Sequence, residues 1–289
     1  MKTVSTKAEL REALAAARRE DRRIGLVPTM GAFHEGHLSL MRAARAECDL
    51  VVVSLFVNPT QFGPGEDLDS YPRDPERDAA LAEAEGVDLL WGPTVEEMYP
   101  AGFATTVEVD TDLTGVLDGD PERRGPGHFR GVTTVVAKLL NAVQPHAAYF
   151  GAKDAQQAIV IRRMVRDLDL PVEIRVLPTV REDDGLALSS RNAYLDEGER
   201  RRAAAISAAL QAAEQTAAEG ETSTERLVAA VMSRLRAEGI DPEYVEARDA
   251  EDLTPVAALN GRAVLLAVAA QVGRARLIDN VVITPDKES

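Results

Sequence analysis

Hydrophobic positions in the first two-thirds of the chain alternate between two patterns. Short continuous apolar runs such as "IGLVPT" and "DLVVVSLFV" are rich in Val and bounded by turn residues, which predicts buried strands. Between these two, "HLSLMRAARAE" sets Leu38, Leu40, Met41 and Ala44 at helical spacing. The same reading predicts helices at "PERDAALAEAEG", "GVTTVVAKLLNAV" and "DAQQAIVIRRMVRDL", and strands at "VDLLWGP", "AAYFG" and "VEIRVLPTV". The opening "MKTVSTKAELREALAAARRE" reads as a strand, then a helix. Such β-α-β repetition predicts an α/β fold, a parallel sheet with helices on both faces. Beyond Arg191 the pattern changes to two alanine-rich helices and then strands that pair antiparallel. The expectation is a large domain over 1–185 and a smaller C-terminal α+β domain over 186–289, divided near the polar, turn-rich "REDDGLALSSRN".

Composition narrows the functional classes. The 289 residues are 45% hydrophobic but only 4% aromatic, so Ala, Val and Leu must fill the core. No apolar run approaches the roughly 20 residues that span a bilayer. The N-terminal stretch lacks the apolar centre of a signal peptide, and a cytoplasmic location is expected. Cys48 is the only cysteine, which excludes an intramolecular disulfide and a cysteine-based zinc cluster. In "RAECDLVVV" it is expected as a small buried residue rather than a nucleophile. The net charge of −15 argues against nucleic acid as a partner, yet leaves room for a small anion in a locally positive cleft.

Chemistry concentrates where strands give way to helices. In "VPTMGAFHEGHLSLMRAA" a strand ends at Thr29, and a glycine-containing turn opens a helix whose first N–H groups are expected to form an anion site. His34 and His37 lie three apart, close enough to share one side of the first helical turn. Gly36 between them is expected to leave room for a ligand at the backbone. The order His-Glu-Gly-His is not the His-Glu-x-x-His of a helical zinc site, so phosphate is the better match. The alternative, two surface histidines at a cap, is weakened by their place after a buried strand, where ligands of such folds bind.

"FGAKDAQQ" repeats the strand-to-helix arrangement. Lys153 could reach a phosphate, Asp154 could cap the helix or accept a ribose hydroxyl, and Gln157 shares the face of Lys153. In "GLALSSRN", Ser189, Ser190 and Arg191 suit a polyphosphate, because arginine makes forked contacts to phosphate oxygens. Asn58 and Gln61 in "FVNPTQF" could orient a carboxylate or hydroxyl, with turn chemistry the plainer role for Asn58. The run Glu66–Asp69 reads as a solvated acidic lid. "RRGPGHFRG" carries His128 and Arg130 and reads as a mobile segment, and His146 reads as structural.

Five of these stretches, "PTMGAFHEGH", "FVNPTQFGPGEDLDSYPRD", "GHFRGV", "FGAKDAQQ" and "VREDDGLALSSRN", stand in an order and spacing that resembles the pantothenate synthetases of the HxGH nucleotidyltransferase superfamily. The resemblance covers nearly the whole chain. It implies a Rossmann-like N-terminal domain, a smaller C-terminal lid domain, a homodimer, and an AMP-forming ligase that joins pantoate to β-alanine with ATP and Mg2+. It further implies that Met30, Gly31, Ala32, Phe33, His34, Glu35, Gly36 and His37 bind ATP, with His34 and His37 on its phosphates. Gly151, Ala152, Lys153, Asp154, Val180, Leu188, Ser189, Ser190 and Arg191 would complete that site, and the Ser-Ser-Arg loop would replace the KMSKS loop of related synthetases. Gln61 and Gln157 would hold pantoate, and His37, His34, Lys153 and Arg191 would be the catalytic groups; the magnesium ligands stay unassigned. Two departures stand out. Ala152 occupies a position that is often Glu in the family, and Gly125-Pro126-Gly127-His128 replaces the usual Arg-Pro-Gly-His. Arg124 is therefore left out of the expected site. The rival readings are an adenylyltransferase acting on a mononucleotide and a nucleotide-binding module without turnover.

Overall fold

The structure, a computed structural model, describes residues 1–284. In chain order its elements are β1 (Lys2–Val4), α1 (Lys7–Arg19), β2 (Ile24–Thr29), α2 (Glu35–Glu47), β3 (Leu50–Leu55), α3 (Pro75–Ala84), β4 (Leu89–Trp91), and the short helices α4 (Val95–Met98) and α5 (Thr111–Thr114). There follow α6 (Pro126–Val143), β5 (Ala147–Gly151), α7 (Ala155–Asp167), β6 (Glu173–Leu177), α8 (Glu197–Ala218), α9 (Thr224–Ala237), β7 (Pro242–Asp249), β8 (Val264–Val272) and β9 (Ala275–Ile283).

Strands β1 to β6 form one parallel, Rossmann-like sheet in the order β1-β4-β3-β2-β5-β6. Its central strands are apolar on both faces because helices cover both. Leu10, Leu14 and Ala17 of α1 pack with Val132, Val136 and Leu140 of α6 on one face. Leu40, Met41 and Ala44 of α2 pack with Ala82 of α3 on the other. Cys48 is buried in that second layer, its Sγ 3.3 Å from the Tyr149 hydroxyl, as the sequence led us to expect.

The chain winds outward from β2 in one direction through β3 and β4, and from β5 to β6 in the other. The order reverses between β2 and β5, so the crevice beyond their carboxyl ends is where such a sheet binds ligands. The strands separate there. β2 pairs with β5 only at Gly25–Ala147 and Leu26–Ala148, whereas β5 pairs with β6 along its whole length. Pro28, which has no N–H to give, lies just past the last pair.

β7, β8 and β9 form a separate antiparallel sheet. β8 is apolar except at the exposed Gln271, because its two faces serve different cores. Leu266, Val268, Ala270 and Val272 pack under α8 and α9. Leu265, Ala267 and Ala269 face Leu117, Phe129 and Val160 of the first part of the chain. The period of two thus seats the small sheet against the large one.

One expectation fails. "RRGPGHFRG" is not a mobile segment from end to end, because α6 begins at Pro126 and His128 and Phe129 are buried in its first turns. Pro at the first helical position is preorganised for a helix, and the glycines do not prevent it.

Candidate active site

The turn between β2 and α2 is organised by its own side chains. His34 is the N-cap of α2, and its Nδ1 accepts the Gly36 N–H at 3.2 Å. The His37 Nδ1 in turn accepts the His34 N–H at 3.4 Å, which gives a reciprocal capping box made of imidazoles. The rings lie 4.2 Å apart, centroid to centroid. With each Nδ1 accepting, the neutral ring carries its proton on Nε2, leaving two N–H donors for the cavity. Burial is the main cause of a lowered His34 pKa, to about 4, with Lys153 and Arg77 adding to it and Glu182 opposing. Burial, then His34 and Lys153, lower that of His37 to about 3. Both rings are neutral donors at pH 7, so they would meet a phosphate through N–H groups and not as positive charges.

A Cβ on residue 36 would stand 2.9 Å from the His34 ring, so Gly36 makes room for that ring as well as lining the cavity. One more expectation changes here: the turn is not an open anion site. Gly31 and Ala32 have positive φ, and the Ala32 and Phe33 N–H groups converge on the buried Asp78 carboxylate at 2.8 and 2.7 Å. A protein carboxylate already fills this backbone concavity. Asp78 reads in the sequence as an ordinary residue of a surface helix, and nothing local marks it.

Lys153 stands across the crevice, in the 3₁₀ turn Ala152–Asp154 between β5 and α7. Its ammonium makes no hydrogen bond or ion pair among the described residues. Burial lowers its pKa, with Arg191 adding to this and the neighbouring Asp154 opposing. Asn280 of β9 donates to the carbonyls of Ala152 and Lys153 at 3.0 and 2.9 Å.

The two arginines of the cavity are held differently. Arg191 grips Asp67 through Nε and Nη2 at 2.9 and 2.8 Å. Arg124 grips Glu66 through Nε and Nη2 at 2.9 and 2.7 Å. Both are forked pairs, the strong geometry for a guanidinium and a carboxylate. The acidic run is therefore not a solvated lid: its first two carboxylates are clamped onto the cavity's arginines. Burial opposes ionisation of Glu66, but Arg124 holds its carboxyl below the usual range. Arg124, left out of the expected site, lines the cavity, whereas Arg130 is exposed outside it. The Ser189 hydroxyl accepts the Arg191 N–H at 3.3 Å, and Ser190 lies 3.3 Å from the Tyr71 hydroxyl.

A third group of contacts fixes Gln61. Asn58 donates to its Oε1 at 3.0 Å, and the Gln61 carbonyl lies 2.7 Å from His128 Nδ1. His128 Nε2 faces Arg124 Nη1 at 3.2 Å; because the guanidinium can only donate, Nε2 accepts and Nδ1 carries the proton. Burial and then Arg124 lower the His128 pKa to about 4, in keeping with this neutral tautomer. The Gln61 Nε2 donates to Met30 Sδ at 3.3 Å, a weak acceptor that a ligand oxygen can replace. Gln157 lines the same cavity and makes no side-chain hydrogen bond among the described residues. Gln156, beside it, is instead buried and bonded to the 113–118 segment. His146 serves the backbone, its Nδ1 accepting the Ile24 N–H at 2.9 Å.

All of this surrounds one cavity of about 270 Å³. Met30, His34, Gly36, His37, Gln61, Gly151, Lys153, Asp154, Gln157, Val180, Leu188, Ser189, Ser190 and Arg191 line it. Gly31, Ala32, Phe33, Glu35 and Ala152 do not: Phe33 is core, and Glu35 pairs with Arg42 on the surface. Among the described residues no three His, Cys, Asp or Glu side chains gather as a metal site. Of the cavity's carboxylates, Asp118 is bonded to Arg276 and Tyr244, and Asp279 to Arg181. Among the described residues Asp154 alone of these makes no side-chain hydrogen bond. That set suits an ion held mainly by a ligand's phosphates with one carboxylate, as magnesium commonly is.

A family model described as Pantoate-beta-alanine ligase matches residues 2–282. A pantothenate synthetase of Moorella thermoacetica is 55% identical, over 98% of this chain and 99% of its own length. The crystal structure of pantothenate synthetase from Thermus thermophilus aligns over 99% of this chain and 100% of that one, with TM-score 0.91 and 51% identity. A pantoate-beta-alanine ligase from Francisella tularensis, complexed with beta-gamma ATP and beta-alanine, aligns over 98% and 97% with TM-score 0.81 and 33% identity. With this likeness along the whole sheet, cavity and C-terminal sheet, the chain belongs to the pantoate-β-alanine ligase family.

Proposed function

We propose that the chain condenses pantoate with β-alanine at the expense of ATP, through a pantoyl adenylate, with release of pyrophosphate and AMP. A carboxylate does not acylate an amine at neutral pH, so it must first be activated. The pantoate carboxylate attacks the α-phosphorus in line and pyrophosphate leaves. Phosphoryl transfer asks of a protein chiefly positioning and neutralisation of charge. The amine of β-alanine then attacks the acyl carbonyl, loses its proton, and expels AMP.

The observation that carries this reading is the meeting in one cavity of two neutral Nε2–H donors, one unpaired ammonium and two amides. His34, His37 and Lys153 meet phosphate oxygens. Gln61 offers its Nε2 donor, and Gln157 its amide, to pantoate. Arg191 and Arg124 join once phosphate displaces Asp67 and Glu66. No serine needs to be acylated, and Ser189 and Ser190 serve as hydroxyl ligands. Magnesium would be held by the phosphates and Asp154, where it would offset charge on the phosphate oxygens. We assign residues 1–185 to nucleotide and pantoate binding and 186–289 to a closing lid, which would keep water from the adenylate. A homodimer in the cytoplasm accords with the family reading.

The test supplies ATP, Mg2+, pantoate and β-alanine and measures AMP, then omits each in turn. AMP should require all four. A dinucleotide product, or ATP binding without AMP release, would sink the proposal.

A further inference from the structure

We propose that Asn280 is a positioning residue for Lys153, so that the C-terminal sheet sets the phosphate end of the cavity. The inference rests on the reading above, in which Lys153 meets phosphate. Asn280 lies within β9, opposite Ala267. Its side chain leaves the small sheet and spends both amide hydrogens on consecutive carbonyls of the Ala152–Asp154 turn, at 3.0 and 2.9 Å. Two bonds from one planar amide fix the roll of the turn as well as its distance. Among the described residues the Lys153 ammonium has no partner to hold it. Where that charge stands is therefore decided by the backbone beneath it, and Asn280 is what holds that backbone from the far side.

The side chain required is specific. An aspartate in its place would turn carboxylate oxygens toward two carbonyl oxygens. An alanine would leave both carbonyls to water and the turn free to shift. The same strand also grips the other nucleotide-side segment, for Asp279 takes both Nη atoms of Arg181 at 2.7 and 3.0 Å. One dipeptide of the C-terminal sheet thus orders the Lys153 turn and the 180–188 strap together. A sheet that closes over the cavity must carry both with it or release both.

Glue and positioning give different results. Asn280→Ala and Asn280→Asp are compared with wild type by direct ATP binding, pantoate-dependent ATP–pyrophosphate exchange and melting temperature. The expected result is a loss of about tenfold in kcat/KM for ATP in Asn280→Ala, since small misplacements of a charge are costly, and a larger loss in Asn280→Asp. The KM for pantoate should stay as in wild type, and melting should shift little. In a Lys153→Ala background, Asn280→Ala should cost no further ATP affinity, because the interaction it supports is gone. An equal loss of affinity with and without Lys153, or a fall in melting temperature with unchanged ATP affinity, would overturn the proposal. ATP binding needs no turnover, so failure of the assigned reaction would show in wild-type AMP release and leave this coupling readable.

Discussion

Among the described residues, one set of cavity groups, His34, His37 and Lys153, stands with no carboxylate bonded to it; a second set, Arg124 and Arg191, sits in the forks of carboxylates from one loop. In the first case the cost of burial falls on the free protein. It appears as lowered pKa values on all three groups. An arriving phosphate recovers that cost. In the second, Asp67 and Glu66 already occupy the arginines, and a phosphate must replace them. Exchange of one anion for another yields little net affinity. The same charges therefore differ in worth according to what they touch before the ligand comes.

Lys153→Ala breaks the first set. It should lower pantoate-dependent ATP–pyrophosphate exchange by a hundredfold or more, on the order of 3 kcal/mol for one charged donor at a transition state. Melting temperature should hold or rise, because a half-buried ammonium without a partner among the described residues is removed. His37→Ala should lose similar activity. Near-normal exchange in either variant would remove that residue from the mechanism. Gln61→Ala, which touches neither set of charges directly by its side chain, should raise the KM for pantoate by about tenfold, as loss of a hydrogen bond to a charged group does. An unchanged pantoate dependence would free Gln61 from that role.

What makes the two sets differ was only partly visible in the sequence. Buried strands and their flanking turns were legible because burial on both faces writes continuous apolar runs, and turn residues bound them. The His34–His37 pair was legible because its contacts are local, three residues apart. The clamps were not. Asp67 meets Arg191, and Asn280 meets Lys153, across more than a hundred residues, and neither partner carries a local mark. Glu66 and Asp67 looked solvated because acidic runs usually are. Asp78 was missed for the opposite reason, since one aspartate on an alanine-rich helix looks exposed until a backbone turn closes on it. The start of α6 at Pro126 did have a signal, proline at the first helical position, which the surrounding glycines outweighed in the reading.

Asp67→Asn sharpens the second set. Without the carboxylate, Arg191 is free before ATP arrives, so ATP should bind about threefold to tenfold more tightly, with kcat little changed. The gain should shrink in high salt, since it is electrostatic. Weaker ATP binding in this variant would mean that the loop belongs to the occupied site and does not compete with the ligand.

The smallest effect is on stability, and its sign follows from the imidazoles. The ordinary histidine pKa of 6.5 falls in the folded chain to about 4 at His34 and about 3 at His37. Between those values and 6.5 the unfolded chain binds more protons than the folded one. Stability must then rise with pH through this window and fall as pH drops below about 6.5. Above it both states are neutral and the contribution is full. Wild type should lose melting temperature from pH 7 to pH 5. His37→Asn, with one fewer depressed imidazole, should lose about 2 °C less over the same interval. The comparison needs both pH values, because the substitution also alters the cap of α2, which shifts both melts alike. An identical pH dependence in the two proteins would mean that His37 is not a neutral donor, and the contrast between the two sets of cavity groups would lose its imidazole half.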